Sequence, residues 1–355
     1  MDFRHGGNIY EIERVRNISR ETIRDYSANI NPLGPPDAVK QAVQEGLSRV
    51  NRYPDISYRE LRDAIARREG VDPEWILPGN GAADVLFQLA RALAPSAAAV
   101  VSPAFSEYRQ ACESVGCTVQ DVILSPESGF AVSAELVSRI PSGAKLLFLC
   151  TPNNPTGQVS SREAGAALAG EMERRSGWMV ADESFLDFRS DERERTLIPL
   201  CGENPRLIVL KSLTKFYAMA GARIGYAVCS DPFLRERYRR ISPPWMVSSF
   251  AEQMTLAALT DEEYARSTRN LIAGESRWLY EALAALPEVT AYPPGANFVL
   301  FRWTGKADLK EALLERAILV RRCGEFAGLG DDWYRVCVSL REKNLGLVEA
   351  MREIH

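Results

Sequence analysis

Apolar residues recur at three- and four-residue spacing over Pro36–Val50, Ser57–Glu69 and Ala82–Leu93, which predicts amphipathic helices with one buried face. Farther along, short continuous apolar runs take over: Ala98–Ser102, Lys145–Cys150, Trp178–Asp182, Leu207–Lys211 and Gly225–Cys229. Each ends in a loop rich in Pro, Gly, Ser or Asn. Continuous apolar strands between helices predict a mostly parallel sheet covered on both faces. After Asp231 the pattern shifts to long helical stretches, Pro232–Ile241 and Ser249–Leu286, and then to strands at Asn297–Trp303 and Tyr334–Ser339. The chain therefore reads as a large α/β domain over 45–250, with 1–44 and 251–355 forming a smaller α+β domain that includes an amino-terminal arm.

Composition changes this picture little. The 355 residues are 46% hydrophobic and 25% charged, which excludes disordered and fibrous classes. Forty-three basic against 47 acidic residues give a net charge of −4, which argues against a nucleic-acid binder and leaves room for a local cationic pocket. The seven cysteines are scattered with no Cys-x-x-Cys pair, so neither a metal site nor a dithiol redox site is expected. The amino terminus has no apolar leader segment, and no apolar run approaches membrane-spanning length, so a cytoplasmic protein is expected.

In open α/β sheets, ligands bind beyond the carboxyl ends of the strands, and there the unusual residues gather. Lys215 lies on an irregular loop after an apolar strand, three residues from Ser212 and eight before Arg223. Burial lowers a lysine's pKa, and only the neutral amine attacks an aldehyde. Taken alone, the triplet fits a surface lysine equally well. Gly79–Asp84 (GNGAAD) precedes a helix, where backbone N–H groups can approach an anion, although Gly-Asn-Gly is also a common turn. Asp182 ends an apolar strand, where a carboxylate could pair with a protonated ring nitrogen or simply cap the next turn. Asn154, in NPTG, offers an amide or turn chemistry.

Together, and in this order, these motifs resemble the fold type I pyridoxal-phosphate enzymes, the aspartate-aminotransferase-like group, over nearly the whole chain. The resemblance implies a seven-stranded, mostly parallel sheet in the large domain, pyridoxal 5'-phosphate (PLP) as cofactor and a homodimer. It implies Lys215 as the catalytic Schiff-base lysine, Asp182 on the pyridine nitrogen and Asn154 at the ring hydroxyl. Ser212, Arg223 and the backbone of Ala82 and Ala83 would hold the phosphate, with Tyr108 stacked on the ring and Tyr53 reaching a phosphate across the dimer. One departure stands out. Where these enzymes commonly carry a tyrosine that bonds the ring hydroxyl, this chain has Phe185.

The two ends of the chain bear on the reaction. His5-Gly6-Gly7-Asn8, followed by SANINPLGPP (Ser27–Pro36), resembles the threonine-phosphate decarboxylases of cobalamin biosynthesis, close relatives of the histidinol-phosphate aminotransferases. A His-Gly-Gly turn could offer an imidazole and two amides to an anion. Arg321 and Arg335 bracket a Gly-rich loop near the other end, and guanidinium forks suit carboxylate and phosphate. The resemblance implies that Arg321 and Arg335 bind the two anionic groups of an amino acid phosphate ester. His5, Gly6, Gly7, Asn31 and Asn154 would also touch the substrate. The implied reaction is decarboxylation of L-threonine O-3-phosphate to (R)-1-amino-2-propanol O-2-phosphate. The alternatives are histidinol-phosphate aminotransferase, disfavoured by the HGGN start and Phe185, and L-serine O-phosphate decarboxylation to ethanolamine phosphate. A PLP-fold regulator without turnover is disfavoured because no separate DNA-binding module is present.

Overall fold

Five residues of the Trp178–Asp182 strand and five of Leu146–Cys150 lie side by side in register, Cys150 opposite Asp182. Around this pair the computed structural model, which describes residues 6–354, builds a seven-stranded sheet. Its order is Ile76–Gly79, Gly225–Cys229, Leu207–Ser212, Trp178–Asp182, Leu146–Cys150, Ala97–Ser102 and Thr118–Ile123. All neighbours are parallel except at Gly225–Cys229, which runs antiparallel to both strands beside it. The continuous apolar runs follow from burial on both faces. Leu147, Leu149, Met179, Ala181, Leu207 and Val209 enter one core cluster, while Leu146, Phe148, Val180, Ile208 and Leu210 alternate into another.

Two strands of this sheet escape the periodicity. Thr118–Ile123 is an edge strand with mixed exposure, and Ile76–Gly79 is a four-residue edge strand containing Pro78. The expected helix Ser249–Leu286 is instead two helices, Ser249–Leu259 and Glu262–Ala284. Thr260 closes the first and Asp261 starts the second, its carboxylate accepting from the Tyr264 backbone N–H at 2.9 Å. A side-chain acceptor at that position satisfies an otherwise orphaned helix donor.

A second, antiparallel sheet is ordered Arg321–Arg322, Trp333–Cys337, Phe298–Trp303, Val289–Ala291. The amino-terminal segment is tied to it. Arg24–Asp25 pairs in parallel with Ile318–Leu319, and the Cys337 backbone N–H donates to the Tyr26 carbonyl at 2.8 Å. All seven cysteines are free and buried. Among the described residues, no helix is long and apolar enough to cross a membrane.

Candidate active site

Five strand ends converge along one side of the large sheet. Gly225 pairs with both Gly79 and Ser212, and Asp182 pairs with Cys150. Gly225 has no side chain for a physical reason: a Cβ there would stand 2.3 Å from the Ala82 nitrogen. Its absence lets the amino terminus of the Ala82–Leu93 helix press onto the sheet. That helix begins after Gly81 with no side-chain cap, so its first amides point outward unclaimed by a capping residue. Gly81 sits at φ +95°, a conformation open essentially to glycine alone. A Cβ on Gly81 would fall 2.5 Å from Nη2 of Arg223. The guanidinium is thereby laid against the helix start, where its charge and the helix dipole would favour one and the same anion.

The resulting cavity, about 240 Å³, is lined by Ala82, Ala83, Tyr108, Asn154, Asp182, Ser212, Lys215 and Arg223 together with Thr214, Ser184, Phe185, Phe105 and Cys150. Burial holds the Lys215 amine below its ordinary pKa; Asp182 opposes that shift and Arg223 adds to it. The Nζ of Lys215 lies 5.4 Å from the Phe185 ring centroid. Asp182 is buried and held on both oxygens: Tyr108 Oη donates to Oδ2 at 2.7 Å, and the Ser184 backbone N–H donates to Oδ1 at 2.9 Å. The Tyr108 ring in turn stacks on Phe148, centroids 5.0 Å apart. Ser212 Oγ and Thr214 Oγ1 are 2.8 Å apart at the cavity wall. Thr214 and Ser184 escape a reading by motif, since isolated hydroxyls carry no spacing signal.

The remaining residues singled out in the sequence lie around this cavity rather than in it. Arg335 is buried; its Nη1 donates to Asn154 Oδ1, its Nη2 donates to the Ser27 carbonyl at 2.7 Å, and it packs over Phe298. Burial pulls its guanidinium pKa down to about 10, so it remains charged at neutral pH. Arg321 sits directly opposite Arg335 in the strand register and donates to Glu325 at 2.8 Å. Arg321, Gly6 and Ser27 border a second, small cavity of about 20 Å³. The Gly7 amide donates to Ser27 Oγ at 2.8 Å, and a Cβ on Gly6 would stand 2.1 Å from the Ser27 carbonyl oxygen. Asn31 faces inward. Its side-chain amide donates to Phe216 O, Tyr264 Oη and Thr268 Oγ1, and its Oδ1 accepts from Leu33. Tyr53 is exposed and stacks on Trp245 at 4.6 Å. His5 lies outside the described residues.

Three separated chemistries thus share one cavity: an anion cradle at Ser212, Arg223 and the helix start, an amine of lowered pKa at Lys215, and a clamped carboxylate at Asp182. A phosphorylated pyridine aldehyde presents matching groups, a phosphate, a carbonyl carbon and a protonatable ring nitrogen. The residues present therefore fit PLP.

Comparison with known proteins agrees with this geometry. The chain is 38% identical over 351 residues to the threonine-phosphate decarboxylase of Salmonella typhimurium, covering 99% of this chain and 96% of that one. It is 35% identical to a histidinol-phosphate aminotransferase of Symbiobacterium thermophilum, covering 95% of this chain and 92% of the other. Among solved structures, the histidinol-phosphate aminotransferase of Clostridium acetobutylicum superposes with a TM-score of 0.86 at 27% identity, covering 92% of this chain and 97% of that one. The family described as aminotransferase class I and II matches residues 22–350, most of the chain including every wall of the cavity, and the protein belongs to that family.

Proposed function

We propose that this protein is a PLP-dependent decarboxylase of L-threonine O-3-phosphate, releasing CO2 and (R)-1-amino-2-propanol O-2-phosphate for the linker of the cobalamin nucleotide loop. One observation carries the reading: Arg335 and Arg321 stand opposite each other in the strand register, Arg335 bonded to the cavity residue Asn154 and Arg321 bordering the small cavity next to Gly6 and Ser27, which suits a substrate with two anionic groups. Full-length similarity to a threonine-phosphate decarboxylase supports it.

When bound, the cofactor supplies an electron sink for the bond that breaks at the substrate α-carbon. Arg335, tied to Asn154 at the cavity wall, takes the substrate carboxylate and orients it. Arg321, which borders one small cavity with Gly6 and Ser27, takes the phosphate, with Gly6 and Gly7 contributing on the same side. Lys215, its amine held below the ordinary lysine pKa by burial, can take up a proton and return it to the α-carbon. Asp182, fixed by Tyr108 and Ser184, keeps a proton on the ring nitrogen. Ser212, Thr214, Arg223 and the amides of Ala82 and Ala83 hold the cofactor phosphate.

We further propose a cytoplasmic homodimer, with 45–250 as the cofactor domain and 1–44 plus 251–355 as the smaller one. Tyr53, Leu47, Val50 and Ile56 leave an exposed apolar surface of the kind a second copy covers, from which Tyr53 would reach the neighbouring cofactor phosphate. Light scattering at micromolar concentration tests the dimer.

The reaction is tested by incubating the protein separately with L-threonine O-3-phosphate, with L-serine O-phosphate, and with histidinol phosphate plus 2-oxoglutarate. CO2 release from the first, with no glutamate formed in the third, supports the reading. Glutamate formed from histidinol phosphate overturns it. Preferred turnover of serine phosphate keeps the chemistry and changes the substrate.

A further inference from the structure

Phe185 removes a hydroxyl from the wall that faces the cofactor ring, and its ring packs instead edge-on against Phe298, centroids 5.0 Å apart. One residue earlier stands Ser184. It lines the same cavity, is only 4% exposed, and its Oγ has no hydrogen-bond partner. A buried hydroxyl left without a partner is costly, and most such groups in folded proteins are satisfied. Each Asp182 oxygen already accepts one bond, from Tyr108 and from the Ser184 backbone itself, and Thr214 Oγ1 is bonded to Ser212. The partner for Ser184 Oγ is thus missing from the protein, while the backbone bond to Asp182 fixes the residue beside the ring-nitrogen carboxylate. A serine χ1 has three staggered wells, so the hydroxyl can be swung to the cavity by one rotation.

We infer that Ser184 Oγ donates a hydrogen bond to the phenolic oxygen of the bound PLP ring, sharing with Asn154 the role that Phe185 cannot perform. This rests on the proposed PLP site, with Asp182 on the ring nitrogen and Asn154 at the phenolic oxygen as the family resemblance implies. Ser184 is then a cofactor-contacting residue that tunes the electronics of the lysine–cofactor linkage. A donor to the phenolic oxygen draws off negative charge that would otherwise hold the proton on the neighbouring Lys215 nitrogen. Removing that donor makes the proton harder to lose.

The test is a pH titration of the visible absorption band of the PLP-loaded protein, read without substrate. The titratable groups acting on Lys215 are Asp182, Arg223, Cys150 and Glu107, and all stay unchanged in the variants. Ser184→Ala removes one oxygen and leaves volume nearly constant; it should raise the band's transition by about one pH unit, the shift equivalent to losing one modest hydrogen bond. Ser184→Thr, which restores a hydroxyl, should return the transition toward wild type, whereas a merely structural serine would show no such rescue. Asn154→Ala serves as the control for the placement. A shift in Asn154→Ala with none in Ser184→Ala overturns the role of Ser184 and leaves the ring placement standing. No shift in either variant overturns the placement as well. An equal shift in Ser184→Ala and Ser184→Thr also overturns the proposal, because the hydroxyl would then not be its cause.

Discussion

Substituting Gly81 by alanine should separate the cofactor-binding role of the helix start from its role in folding. Two costs are visible. The first is conformational: at φ +95° a side chain is strained whatever the space around it, which costs about 1–3 kcal/mol of stability with or without ligand. The second is local: the new Cβ falls 2.5 Å from Arg223 Nη2 and 3.1 Å from Cζ, so the flexible guanidinium must swing off the helix start. A charge-assisted hydrogen bond contributes about 1.5–3 kcal/mol, and its loss should weaken PLP binding roughly 10- to 150-fold. The assay is PLP titration of apoprotein, followed by the visible band, alongside thermal unfolding of the apoprotein. Arg223→Ala provides the second arm of a double-mutant cycle. In that background Gly81→Ala should cost stability again but little further affinity, since the displaced group is already gone. Wild-type affinity in Gly81→Ala would refute the assignment of Arg223 to the phosphate. A full additional affinity loss in the Arg223→Ala background would show that the glycine acts by another route.

Three further outcomes are expected. Arg335→Lys gives up the fork that joins Asn154 and the Ser27 carbonyl; kcat/KM for the phosphorylated amino acid should fall about 10- to 100-fold, with KM raised and kcat lowered, while the cofactor band is retained, and unchanged kcat and KM would remove Arg335 from substrate binding. Lys211→Met breaks a buried pair, Nζ to Asp187 Oδ1 at 2.8 Å, and should destabilise the protein by about 3–5 kcal/mol in chemical denaturation; a loss below about 1 kcal/mol would mean that Arg68 alone satisfies Asp187. Glu183 is pushed by burial from 4.5 up to about 7, so its protonated form is favoured by folding: its contribution is complete below about 4.5 and is lost as pH rises to about 7, and Glu183→Gln should flatten stability over that interval, a slope unchanged from wild type counting against it.

How much of this was legible in the sequence depends on how local each cause is. The strand ends carrying Asp182, Asn154 and Ser212–Lys215 announce themselves, because an apolar run buried on both faces must stop where polar residues begin. The edge strands Ile76–Gly79 and Thr118–Ile123 do not, since Pro78 and half-exposed positions blur their period. The Asp261 break was readable as a cap but was overridden by apolar periodicity continuing on both sides. Partnerships across long separations are opaque. The bond from Arg335 to Asn154 spans 181 residues and that from Tyr108 to Asp182 spans 74. Asn31 illustrates the converse: a polar residue in a suggestive motif whose amide is taken up by Phe216, Tyr264 and Thr268.

The same inventory of lysine, aspartate and arginines can serve decarboxylation or amino transfer, and this chain is similar to proteins named for both. The choice between them must therefore reside in which bond at the α-carbon is set perpendicular to the cofactor ring. Here the two guanidiniums are not independent. They face each other in one strand register, and the Arg335 fork is anchored at Asn154 on one side and at the Ser27 carbonyl on the other. Ser27 is itself held by Asp25 and receives the Gly7 amide. If Arg335 takes the substrate carboxylate as proposed, the amino-terminal arm would act on it through Ser27, and a substrate whose phosphate draws in Gly6 and Gly7 would also settle the position of Arg335. On this argument a substrate lacking the phosphate should lose turnover as well as affinity, because the group remote from the reacting bond is what fixes the orientation of that bond.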